Sequence, residues 1–89
     1  MSDTQEIAAH QRINELSEAL RACELLIDFV IACNDASSDG MLAVQKSVQN
    51  IGVMLAELVQ LDPSAHTASA GQAKSRGEAF LSMHQGSIQ

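Results

Sequence analysis

Seven apolar residues spaced alternately four and three apart, Ala9, Ile13, Leu16, Leu20, Cys23, Ile27 and Val30, run through the first third of the chain. That spacing draws one continuous apolar seam along an α-helix, whereas a strand needs alternation in steps of two. No proline or glycine interrupts the segment before Asn34. The seam therefore predicts one long helix over about residues 4–34. Ser2 with Gln5, and Asp3 with Glu6, have capping-box spacing, and acids there suit the positive end of the helix dipole.

A second seam of the same kind, Met41, Val44, Val48, Ile51, Leu55 and Leu58, predicts a helix over about residues 40–61. The intervening Asn-Asp-Ala-Ser-Ser-Asp-Gly is loop by composition. Asn34 suits a helix end, and Ser37, Ser38 or Asp39 suits the next start. A loop confined to residues 35–39 makes the two helices an antiparallel hairpin over residues 1–61. Pro63 ends the second helix by disfavouring helical geometry at Asp62. Gly52, in mid-helix, costs about 1 kcal/mol against alanine. It marks either a close backbone approach or nothing.

Beyond Pro63 the signals thin out. Residues 62–71 are small and polar, with nothing large to bury, and read as a linker. Residues 72–89 read as a short helix or tail presenting Ala73, Phe80, Leu81 and Met83, with Gly77 against the helix and a polar end from Gly86. The expected fold class is all-α, an antiparallel two-helix hairpin with a short C-terminal helix or tail.

The first helix carries more apolar surface than a hairpin can cover. Ala22, Leu25, Phe29 and Ala32 form a stripe opposite its seam, and Leu26, Ile31 and Cys33 flank that seam. In the second half of this helix only a strip through Arg21, Glu24 and Asp28 stays polar. Val53 similarly lies opposite the seam of the second helix. Burying one large apolar side chain contributes about 1.5–3 kcal/mol, while ordering one residue costs about 1–2 kcal/mol of backbone entropy. Facing seams alone fall short, so something must cover Leu25 and Phe29. A second copy would complete a homodimeric four-helix-type bundle, with Ala22, Leu25, Phe29, Ala32, Val53, Phe80 and Leu81 at its interface. The alternatives are the chain's own C-terminal segment, folding back to complete a three-helix bundle, or a different protein.

The net charge of −6 resides wholly before Met41, where eight acids face Arg12 and Arg21. Such a segment repels phosphate backbones and anionic lipid, so direct nucleic-acid binding and membrane attachment are not expected. Phe29 and Phe80 are the only aromatics, which leaves no base-stacking platform. Glu15 and Glu18, one turn apart and away from the seam, form an acidic face suited to a basic partner.

Catalytic patterns are missing. The sequence has no glycine-rich phosphate loop, Cys-x-x-Cys, nucleophile elbow or His-Glu-x-x-His. Glu6 and His10 share a helical face but lack the Glu-x-x-His spacing of di-iron bundles. Asp28 reads as part of the polar strip, not as a buried acid. Cys23 and Cys33, ten residues apart on one helix, stand about 15 Å apart. A disulfide reaches only about 7 Å between Cα atoms, so two buried thiols in a reducing compartment are expected. The N-terminus lacks a signal-peptide pattern. The apolar run from Leu25 to Cys33 contains Asp28 and is too short to span a membrane, so a cytoplasmic location is expected. The function expected is a non-catalytic protein–protein interaction module, a small adaptor, regulator or inhibitor needing no cofactor or metal. The alternatives are a ligand-binding helical bundle, drawing on Asp28, Ser47, Asn50 and the arginines, and an acidic nucleic-acid mimic.

Overall fold

The computed structural model describes residues 2–85, with side chains from Gln5 to His84. It is all-helical: α1 (Ser2–Cys33), α2 (Ser38–Leu61) and α3 (Ala68–Gln85). The side chains that would form the caps expected at Ser2 and Asp3 are not among those described, and the polar end from Gly86 lies outside the described residues.

The turn after α1 uses local polar chemistry. Asn34 takes a positive φ of 50°, a conformation asparagine tolerates better than most residues. Its N–H donates to the Ile31 carbonyl at 3.0 Å, and the Asp35 N–H donates to Val30 at 3.1 Å. This is a Schellman ending. Asp35 Oδ1 then accepts from the Ser37 N–H at 3.1 Å, and Ser37 Oγ caps α2 by accepting from the Gly40 N–H at 3.2 Å. A Cβ on Gly40 would collide with the Asp35 carbonyl, so the tight turn requires glycine there. Thereafter α2 runs back along α1, and Glu57 near its end meets Arg12 near the start of α1. At the far end Asp62 is extended before Pro63, and its N–H donates to Leu58 at 2.8 Å.

The third helix begins at Ala68, earlier than the composition suggests, and the connection shrinks to residues 62–67. The Thr67 carbonyl accepts from the Gly71 N–H at 2.9 Å. Ala70 and Ala73 are buried, and with Gly77 and Phe80 they form a stripe spaced three, four and three. Small residues let α3 lie close against the hairpin, and a Cβ on Gly77 would sit 2.6 Å from Val48 Cγ2. Contacts of Ser69 with Glu24 and of Arg76 with Asp28 show that α3 runs in the direction of α1, beside its second half. Leu16, Ile27, Val44 and Ile51 are the largest fully buried side chains among the described residues. Elongated packing gives extents of 56 × 19 × 18 Å.

Several expectations change. Phe80 is 5% exposed and belongs to the core, where an interface position was expected, and Leu81 packs partly buried against that core. The chain's own α3 packs on the hairpin as a third helix and leaves Leu25 and Phe29 uncovered. Cys33 is exposed and Cys23 half-buried, so the expectation of two buried thiols fails. Cys33 lies beyond the last core residue of α1, Val30. Gly52 is not a close approach, because its Cβ would meet only Lys74 Cε at 3.6 Å.

Candidate interaction surface

The outer face of α1 is set by its inner one. Ile27 and Val30 point into the core. At about 100° per residue, Glu18, Ala22, Leu25, Phe29 and Ala32 then point away from it. All five are exposed, and Leu25 and Phe29 are 57% and 66% exposed. Leu26 and Cys33 continue this surface on one flank.

On the opposite flank lies the polar strip, which attaches α3. Glu24 accepts a hydrogen bond from Ser69 Oγ, and Asp28 Oδ1 accepts from Arg76 Nη2 at 2.8 Å. Asp28 is thus a half-exposed ion-pair partner. Because the strip holds α3 at the side of α1, the stripe through Leu25 and Phe29 stays bare. Val53 is 70% exposed but sits on α2 one turn before Glu57, near the Arg12 end and apart from Leu25 and Phe29. Of the seven residues expected at one interface, the structure groups Ala22, Leu25, Phe29 and Ala32.

The acidic face is less uniform than its sequence. Arg12 grips Glu57 with two bonds, Nε to Oε2 at 2.5 Å and Nη2 to Oε1 at 2.8 Å, and reaches Glu15 Oε2 at 3.3 Å. The hydrogen bond from Arg12 holds the Glu57 carboxyl below its usual range, and the same contacts push Arg12 upward. Glu15 is thereby partly neutralised, whereas Glu18 is exposed and forms no ion pair among the described residues. Of the described arginines and lysines, Arg21 and Lys46 likewise form no ion pair among the described residues.

A cleft of about 440 Å³ opens at the end that α3 does not reach. Glu6, Ala9, His10, Ile13 and Asn14 of α1 line it with Leu61 and Asp62 of α2. Glu6 and His10, which share a helical face in the sequence, both line it. Asp28, Ser47 and Asn50, the polar residues considered for a ligand, do not converge: Ser47 is buried at 3%, and the other two are exposed elsewhere. Among the described residues no group of three or more His, Cys, Asp or Glu could hold a metal ion, and no helix is long and apolar enough to cross a membrane. Burial, aided by the charge of Glu24, pushes the Cys23 thiol up, which disfavours the thiolate. Comparison with protein-family models, curated proteins and solved structures gives no match.

Proposed function

We propose that this chain is a non-catalytic interaction protein, a small adaptor, regulator or inhibitor working through the outer face of α1. The observation that carries this reading is the exposure of Leu25 and Phe29, at 57% and 66%, after the chain's own third helix has docked. Exposed aromatic and aliphatic side chains grouped on one face mark interaction sites. The stripe supports self-association into a homodimer, and Glu18 beside it favours a basic surface on a further partner protein. Two free thiols suit a reducing, cytoplasmic setting. The cleft at Glu6, His10 and Asp62 supports a second reading, a binder of small cationic molecules, with Ala9, Ile13 and Leu61 as its apolar floor.

The test is a tagged pull-down from the native host with three forms of the chain: unchanged, Phe29→Glu and His10→Ala. The interaction reading expects a stoichiometric protein partner, or a second copy of the chain, lost on Phe29→Glu and kept on His10→Ala. Retention of every partner by Phe29→Glu would sink it.

A further inference from the structure

We infer that the outer stripe of α1 pairs with the same stripe of a second copy in antiparallel orientation, with the twofold axis passing at Leu25. The inference rests on the reading that this stripe is the working surface, and it names the occupant and its register.

Three features make the stripe its own complement when inverted. The first is size. Large Phe29 and Leu25 lie between small Ala22 and Ala32. With the axis at Leu25, position n faces roughly position 50 − n of the second copy. Phe29 then meets Ala22 of the second copy, Leu25 meets its own image, and the close approach of about 8–10 Å between helix axes is kept throughout.

The second feature is charge. Arg21 and Asp28 are seven residues apart and so lie on the same flank of the stripe. An antiparallel twofold pair brings like flanks together, so Arg21 of one copy stands beside Asp28 of the other. Arg21 is exposed and has no ion pair among the described residues. Asp28 uses Oδ1 for Arg76 and can offer Oδ2. Two symmetric Arg21–Asp28 pairs would close that flank.

The third feature selects direction. In a parallel pair Glu18 would face Glu18, with repulsion along a contact already burdened by the net charge of −6. Inversion places Glu18 over Ala32 instead. The contact spans only about four turns, short of the ~1,200–2,000 Å² of standard specific interfaces. Micromolar affinity is expected.

Disulfide trapping reads the register. In a Cys23→Ala, Cys33→Ser background, Leu25→Cys places two thiols at the axis, within the ~7 Å Cα reach of a disulfide. Ala32→Cys places them about 21 Å apart at ~1.5 Å per residue. Under mild oxidation at about 100 µM, Leu25→Cys should form a covalent dimer and Ala32→Cys should not. Sedimentation of the reduced, unsubstituted chain should show a dimer. Arg21→Glu should weaken it about three- to tenfold, as for an exposed ion pair. Equal trapping at both positions would overturn the antiparallel register while leaving the stripe as an interface. A dimer unaffected by Phe29→Glu would overturn the surface reading itself. A monomer at all these concentrations would overturn the pairing, and loss of host partners on Phe29→Glu would then assign the stripe to another protein.

Discussion

Gly77 of α3 faces Val48 of α2 so closely that a Cβ would stand 2.6 Å from Val48 Cγ2, with Ile27 Cδ1 and Val44 Cγ1 each at 3.3 Å. Val48 is β-branched and hemmed in by core neighbours, so it cannot swing aside cheaply. Gly77→Ala should therefore destabilise by about 1–3 kcal/mol, as overpacking does. Gly52→Ala is the control. Its new methyl meets only the Lys74 stem at 3.6 Å, so it should stabilise by about 0.5–1 kcal/mol. Urea unfolding of both variants tests the contrast. Equal effects would mean that α3 does not sit this close.

The two phenylalanines should separate core from surface. Phe80→Ala removes a side chain 5% exposed and should cost about 3–5 kcal/mol. Phe29→Ala removes one 66% exposed and should change the stability of dilute protein by no more than about 0.5 kcal/mol. Thermal melts at low micromolar concentration measure both. A large loss at Phe29 would show that it is covered within the chain.

Acid should weaken the fold through Glu57 and Asp35. The Arg12 hydrogen bond depresses the Glu57 carboxyl below its ordinary value of 4.5, and hydrogen bonds from Ser37 depress Asp35 below 3.8. A carboxyl depressed in the folded state contributes stability above its unfolded value. That contribution is lost as pH falls through the folded value. Urea midpoints should thus hold near neutrality and fall below about pH 4.5. Glu57→Gln should start lower at pH 7 and show a shallower acid decline. An unchanged slope would mean that the Arg12 contact does not persist in solution.

The two thiols should react at different rates. Cys33 is exposed, and Cys23 is half-buried with its thiol pushed up by burial. A thiol reagent at neutral pH should modify Cys33 rapidly and Cys23 only slowly until denaturant is added. Mass spectrometry of the labelled peptides distinguishes them. Dimerisation should slow Cys33 as protein concentration rises, since it borders the stripe.

The first two helices were legible in the linear chain because their buried positions are large and apolar. Leu16, Leu20, Ile27 and Val30, then Val44, Ile51 and Leu58, repeat at helical spacing and all reach the core. Asn34 and Pro63 mark their ends through backbone preferences that act locally. The outward stripe through Leu25 and Phe29 was equally legible, since the face opposite a seam follows from the helical period alone. The third helix was not legible in this way. Besides Phe80, it docks through Ala70, Ala73 and Gly77, whose value lies in how near they let two backbones come, and closeness leaves no hydrophobic signature in sequence. Nor could any local rule say which side of α1 it would take. That choice depends on Asp28 meeting Arg76 and Glu24 meeting Ser69, residues more than forty positions apart. Their pairing places α3 at the polar strip, draws Phe80 into the core, and leaves Phe29 in solvent.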